Sequence, residues 1–414
     1  MKYYTLFLKN QNQSKMSIET NLKKPRIEVV DSLRGFAIMA IMLIHSIEHF
    51  NFYVFPDPST QPAWLNSIDK GIWDTLFLLV GGKGYAIFAL LFGFTFSLMY
   101  AKQQAKEVDF GPRFLWRMLL LVCFALFNGL FFPGEVLMMY ALVGVVLFLV
   151  RKFNNTWLLV AALLLLLQPI EWARYIYYLF NNDYLVQPSG QGPYWNLLKE
   201  AQLGDSFINQ VKANTLYGHK VSLMWAYGVG RLVQTAGLFV IGYWLGKKKL
   251  FVDSEKSNKF WKRTLIIGAT VFIPLFLLEK NFAELTDVKI HAQTLLKVVD
   301  MYGNLALTAV LVASFILLYK TNIFRKIAGG LRYCGRMSLT AYVLQSIIGG
   351  FVFFGYGMGL GPKLLHTKSL AIGIVLFAGL FYFCKWWINT YGQGPLEKLW
   401  HRLTWIDFSG KNKE

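Results

Sequence analysis

The stretch RIEVVDSLRGFAIMAIMLIHSIEH, residues 26–49, sets ten apolar residues between Arg34 and His45. About 20 mostly apolar residues cross a hydrocarbon core about 30 Å thick, so this segment reads as a transmembrane helix with ionisable groups near both ends. Runs of the same kind recur along the 414 residues, of which 55% are hydrophobic, 17% aromatic and only 16% charged, with a mean hydropathy of +0.41. A soluble domain carries about 25% charged residues, which argues against a cytosolic enzyme. The expected fold is all-α, a polytopic integral membrane protein of about ten transmembrane helices. The spans fall roughly at 30–50, 84–101, 114–132, 135–151, 156–178, 226–246, 262–279, 299–319, 333–356 and 369–389. The run from Ile72 to Tyr100 would reach about 45 Å as one helix, too long for one crossing. The break Gly81-Gly82-Lys83-Gly84 divides it, so 68–80 is expected to lie in or dip into the outer interface, with the span starting at Gly84.

The net charge of +19 arises from 42 Lys and Arg against 23 Asp and Glu. In a polar chain such an excess suggests nucleic acid. Here the basic residues form short clusters between apolar runs, and no nucleic-acid partner is expected. Counted by alternate loops, they divide into 29 on one side and 10 on the other, which predicts that both termini are cytoplasmic. Residues 1–26 read as a basic cytoplasmic tail rather than a cleavable signal peptide. Residues 27–179 form an N-terminal helical bundle, 180–225 an external loop, 226–405 a C-terminal domain and 406–414 a second tail. The external loop carries Pro188, Pro193, Tyr184, Tyr194 and Trp195. Its aromatics suit an ordered cap over a cavity; a linker with interfacial aromatics is the competing reading. Cys123, Cys334 and Cys384 form no CxxC pair and have no His cluster nearby, so neither a metal nor a disulfide is expected.

Ionisable side chains within a membrane are costly and therefore candidates for function. Arg34 and His45 are eleven steps apart, so on a helix they share a face about 16 Å apart. Glu48 falls within about 40° of that face. A guanidinium at the cytoplasmic mouth suits a phosphate-bearing ligand. A histidine with a carboxylate three residues on suits a general base, with Glu48 orienting His45. The competing reading makes Arg34 a topological marker and His45 and His49 interfacial residues. Arg113 and Arg117, one turn apart at the start of the third span, form a second cationic pair or mark the positive-inside face. Lys83 follows the glycine break and either serves the site or snorkels to the interface. Asn128 and Glu135 flank Pro133-Gly134, where a carboxylate could act on an acceptor or cap the next helix. Arg231, with Gln234, should face the bundle. Arg336, Thr340, Tyr342 and Gln345 give the ninth span unusual polarity, for helix packing or for a pocket.

Several stretches carry a resemblance: RIEVVDSLRGFAIMAIMLIH (26–45), GYAIFALLFGFTFSL (84–98), FFPGEVLMMYALVG (131–144), GRMSLTAYVLQSII (335–348) and GQGPLEKLWHRLTW (392–405). Through them the chain resembles the YeiB family of bacterial multi-pass membrane proteins, whose C-terminal half is a domain of unknown function. The Arg, ten residues, His pattern also resembles the signature of the type 3 membrane acyltransferases, and the layout is similar to heparan-alpha-glucosaminide N-acetyltransferase. The resemblance implies a transmembrane O- or N-acyltransferase using cytoplasmic acyl-CoA or acetyl-CoA as co-substrate, with an acceptor approached from outside: a glycan, or a lipid-linked envelope component. It implies His45 at the transfer centre, Arg34 on the CoA path and Arg113 with Arg117 near the CoA phosphates. Lys83, Asn128, Glu135, Arg231, Arg336 and Gln345 are the candidate acceptor-side groups. The alternative is a transporter or exporter of a small anionic or amphiphilic solute, and a third reading is a non-catalytic envelope scaffold.

Overall fold

A computed structural model describes residues 27–181, 183–186 and 190–406. The expected basic tail at 1–26, all but the first residue of the tail at 406–414 and Pro188 lie outside these residues. Among the described residues there are helices and no strands. In chain order they are α1 (Glu28–Ile47), α2 (Ala63–Leu79), α3 (Lys83–Gln104), α4 (Gly111–Gly129), α5 (Leu137–Val150), α6 (Asn155–Leu166), α7 (Pro169–Phe180), α8 (Gly192–Leu203), α9 (Phe207–Ala213) and α10 (His219–Gly228). There follow α11 (Arg231–Lys247), α12 (Glu255–Lys280), α13 (Lys289–Leu318), α14 (Asn322–Ala328), α15 (Arg332–Arg336), α16 (Ser338–Phe353), α17 (His366–Tyr391) and α18 (Pro395–Thr404), besides single-turn pieces. Local chemistry fixes several starts. Glu28 and Asp31 sit in the first turn of α1, where the helix dipole favours acids. Asn154, Ser254 and Thr321 each accept a backbone N–H at the head of α6, α12 and α14.

The chain is a multi-pass membrane bundle. By length and apolarity six segments suffice to cross, or eight if each bent pair, α6 with α7 (51°) and α14–α15 with α16 (84°), is one span. The expected number of ten is not reached on that measure. α5 has only 14 residues, and α11 has 17 with Arg231 and Lys247 at its ends. Helices nevertheless occupy each of the ten expected stretches.

The break before Lys83 departs from the expected arrangement. α2 and α3 together make one apolar run of 42 residues, without the sharp bend that divides the two pairs above. α2 therefore continues α3 instead of lying in the interface. At 1.5 Å per residue the run is about 63 Å long, so the start of α2 projects beyond a hydrocarbon core of about 30 Å. A Cβ at Gly84 would stand 3.4 Å from Ala40 and 3.1 Å from Ile41, well inside α1, so the break falls within the bundle. Gly82 makes the break in the left-handed region at φ +72°, where a side chain is strained.

Close helix crossings hold the bundle. A Cβ at Gly93 of α3 would stand 1.9 Å from the Phe239 carbonyl oxygen, and one at Gly242 of α11 2.0 Å from that of Leu90. Without a hydrophobic force between helices in lipid, such backbone-to-backbone contact is what small residues supply. The same reciprocity joins α1 to α15 and the single turn before it (Gly329–Leu331): a Cβ at Gly35 would meet the Leu331 oxygen at 2.0 Å, and one at Gly335 the Asp31 oxygen at 1.8 Å. Arg34 and Arg336 adjoin these two glycines. The C-terminal α18 is strongly amphipathic and is clasped onto the bundle. Glu397 accepts from the N–H groups of Leu339 (2.7 Å) and Thr340 (3.0 Å) and from Thr340 Oγ1 (2.7 Å), capping α16 from another helix. Thr340 Oγ1 in turn accepts from the Leu396 N–H. The two motifs that hydropathy does not explain, at 335–348 and 392–405, are thus halves of one junction.

Candidate functional site

Two cavities open at opposite ends of α1. One, of about 650 Å³, is lined at the N-terminal end by Asp31 and Arg34; the other, of about 700 Å³, at the C-terminal end by Ile41, Ile44, His45 and Glu48. Both fall in the size range of small-molecule sites. Tyr342 lines both. Its hydroxyl accepts the N–H of Val136 at 3.2 Å, at the head of α5, which pins the ring between the cavities. Tyr140 closes the same layer, its hydroxyl donating to the Tyr85 carbonyl at 2.7 Å.

The Arg34 cavity is basic. Arg34 donates to Asp31 Oδ1 (3.0 Å) and Thr95 Oγ1 (3.1 Å), which fixes its guanidinium between α1 and α3. Arg117 lies 3.9 Å over the Trp400 ring and donates to Thr404 Oγ1 at 3.1 Å. Lys102, Lys106, Arg336 and His401 also line the wall. Burial and the neighbouring Arg117 and Lys102 push the His401 imidazole, on the amphipathic α18, below its ordinary pKa. Arg113 does not join Arg117 there. It donates to the carbonyls of Thr404 (3.1 Å) and Ile406 (2.7 Å) and ties down the end of α18. A side chain one turn away on α4 faces the helix end instead of the cavity. Arg336 reaches the wall while donating to the Gly392 carbonyl at 2.7 Å.

In the second cavity the His45 ring packs 5.1 Å from Phe132, 5.7 Å from Phe50 and 4.9 Å from His49, centre to centre. No described residue hydrogen-bonds its ring nitrogens, and the ring stands on the cavity wall. Glu48 does not orient His45 as expected. Its Oε1 meets His49 Nδ1 at 2.5 Å, and its Oε2 accepts from the Tyr53 hydroxyl at 3.1 Å. The helix ends at Ile47, so Glu48 leaves the helical face on which the expectation relied. Glu135 lines the cavity but caps α5, accepting from the N–H groups of Leu137 and Met138 (2.9 Å).

Lys83 donates to the Phe77 carbonyl at 3.2 Å across the helix break. Arg231 is held between the rings of Tyr85 (4.6 Å) and Trp225 (4.4 Å). Both line the His45 cavity. Three acceptor-side candidates lie elsewhere: Arg336 lines the Arg34 cavity instead, and Asn128 and Gln345 line neither. Asn128 is fully buried, its amide groups without a hydrogen-bond partner among the described residues. Gln345 donates to the Ile38 carbonyl at 2.9 Å, a packing contact between α16 and α1. Tyr53, Asp300 and Asn304 line the His45 cavity without having been singled out. Asp300 lies at the edge of its hydropathy window, where a charge passes as a boundary, and Tyr53 follows the end of the first span.

The segment 192–228 folds as α8, α9, a π turn and α10, and supplies Ser222, Trp225 and Ala226 to the wall of the His45 cavity. Trp195 stacks on Phe52 at 5.1 Å, beyond the end of α1.

Residues 245–407, from the end of α11 through α18, match the family described as "Protein of unknown function (DUF418)". The chain is 25% identical to the uncharacterised protein YxaH of Bacillus subtilis, over 95% of this chain and 97% of that one. It is 24% identical to an uncharacterised 39.9 kDa protein of Bacillus acidopullulyticus, over 92% and 94%. Against the uncharacterised protein YeiB of Escherichia coli it is 26% identical, over 91% and 95%. These alignments run through both cavities and both halves of the α16–α18 junction: the chain is a multi-pass membrane protein similar over nearly its whole length to YxaH and YeiB, and its C-terminal part matches the DUF418 family.

Proposed function

We propose that the protein is an acyltransferase of the bacterial inner membrane. It would take an acyl group from cytoplasmic acyl-CoA, acetyl-CoA being the shortest common case, and pass it to a glycan or lipid-linked acceptor on the other face. The observation that carries this reading is the pair of cavities on one helix with Tyr342 common to both. The basic cavity suits the phosphates of CoA, through Arg34, Arg117 and Arg336. The other cavity offers a histidine whose nitrogens have no protein partner among the described residues.

In the step that follows, the acyl-pantetheine arm passes the Tyr342 layer and brings the thioester carbonyl to His45. His45 takes the proton from the acceptor's O–H or N–H as the acceptor atom attacks the carbonyl carbon. The C–S bond then breaks, and the proton passes to the departing CoA sulfur, giving free CoA and the acylated acceptor. Apolar walls strengthen these electrostatic contacts by excluding water. Glu48 acts through His49, holding the neighbouring ring rather than His45 itself.

The test is purified protein in nanodiscs with radiolabelled acetyl-CoA. Arg34→Ala should weaken CoA binding, and His45→Ala should abolish acyl release while leaving CoA bound. If neither substitution alters binding or release, the reading fails. Two cavities at opposite ends of a thin layer also fit alternating access, the geometry of the transporter reading. Solute flux into proteoliposomes without consumption of acyl-CoA would favour that alternative.

A further inference from the structure

The charges of the His45 cavity are unevenly satisfied. Among its carboxylates, Glu48 is bound by His49 and Tyr53, Glu135 by the head of α5, and Asp300 by Asn304 Nδ2 at 2.6 Å. Asp74 and Glu279 stand exposed at the rim. Lys83 and Arg231 differ: among the described residues, neither has a carboxylate oxygen within ion-pair distance. Lys83 is only 6% exposed and donates to one carbonyl; Asp300 and Glu279 act on it through space, without direct contact, which leaves room between the charges for a bound anion. Arg231 is flanked by two rings, which leaves the edge of its guanidinium for an in-plane acceptor.

The two cations are brought together by the backbone. A Cβ at Gly82 would stand 3.2 Å from Arg231 Nη2, and Lys83 is the next residue. Gly82 and Gly230 precede α3 and α11 in the same left-handed conformation, at φ +72° and +74°. Two long helices therefore begin at these cations with the positive ends of their dipoles, as broken helices do around anionic groups in membrane transport proteins. Phe77, Leu78 and Leu79 of α2 and Phe272 and Phe276 of α12 continue the wall beside them, and Leu78 and Leu79 reach the exposed apolar surface of the bundle.

We propose that Lys83 and Arg231 form an anion subsite for the phosphate of the acceptor, separate from the transfer centre at His45. The apolar wall leading to the lipid-facing surface favours a phosphate carried by a lipid. The proposal deepens the acyltransferase reading, on which the word acceptor rests; the subsite itself rests on the geometry above.

Native mass spectrometry of the purified, delipidated full chain in detergent reads it. The probes are dioleoyl phosphatidic acid, glycerol 3-phosphate as the soluble phosphate, and dioleoylglycerol as the same lipid without phosphate, with CoA titrated in parallel. Phosphatidic acid should bind more tightly than dioleoylglycerol, and Lys83→Met and Arg231→Gln should each weaken it by about tenfold, the loss of one charge-assisted contact. Arg231→Lys keeps the charge but loses the stacked, forked guanidinium, so it should lose less affinity than Arg231→Gln, and an unchanged unfolding midpoint in all three variants separates a lost contact from a lost fold. Glycerol 3-phosphate binding with the same dependence supports the subsite with a soluble phosphate as its source. Phosphate probes that bind no better than dioleoylglycerol, or equally well to the neutral variants, overturn it. If CoA binds and this dependence is missing, the subsite falls alone; if the dependence holds and CoA does not bind, the transferase reading falls alone.

Discussion

Replacing Gly335 by alanine tests whether the α1–α15 crossing sets the shape of the Arg34 cavity. The new Cβ would lie 1.8 Å from the Asp31 carbonyl oxygen, whereas ordinary contact begins at 3.4 Å. The two backbones must part by about 1.6 Å, because a main-chain oxygen held in a helix has no rotamer to move. Overpacking of this kind costs about 1–3 kcal/mol, and the rigidity of both partners puts Gly335→Ala at about 3. Gly35→Ala meets the Leu331 oxygen at 2.0 Å and should cost nearly as much. One displacement relieves both overlaps, so the double variant should lose about 1 kcal/mol less than the sum of the two single losses. Separation also pulls Asp31 and Arg34 away from Arg336, and CoA affinity should fall in step. Unfolding in detergent, followed by thermal shift and by denaturant titration where reversible, measures the first effect; CoA binding measures the second. Single losses under about 0.5 kcal/mol, or strict additivity, would refute the reasoning.

Three further outcomes follow from the same contacts. Glu48→Gln loosens His49 and Tyr53 but leaves His45 without a lost bond, so it should reduce acyl transfer by about tenfold less than His45→Ala; equal losses would restore Glu48 as the direct partner of His45. Glu397→Ala removes three accepted bonds at the head of α16 and should cost about 1–2 kcal/mol in unfolding, with a parallel loss of CoA affinity as α18 detaches. Tyr342→Ala should join the two cavities. In a cysteine-free background, a cysteine at Thr95 should then react with an impermeant thiol reagent added on the His45 side, and the same rate in both backgrounds would count against Tyr342 as the partition.

Hydropathy made the helical bundle legible, because the bilayer demands long apolar segments and permits few others. It misjudged the region of Lys83, since a glycine break reads the same whether it lies at a membrane surface or inside the bundle. Helical periodicity put Arg34 and His45 on one face of one helix, whereas in the structure they line two different cavities, and it put Glu48 beside His45 only by extending α1 past Ile47. Arg113 and Arg117 look equivalent as a pair one turn apart. Their difference depends on where α18, nearly 300 residues later, comes to rest. The motif at 392–405 stood out in the sequence without a reason; the reason is a carboxylate capping a helix more than 50 residues away. Tyr342 was visible as one polar residue among several, and only three-dimensional packing reveals that it touches both cavities.

The thinness of the Tyr342 layer bears on energetics of another kind. Where water enters both cavities, each takes on the potential of its own side, and the voltage across the membrane falls mainly over the few residues between them. A full crossing is worth about 2.3 kcal/mol per elementary charge at 100 mV. A charge stepping past Tyr342 would feel most of that over a short distance, so any reaction that moves net charge through this layer should run at a rate that follows the energised state of the cell.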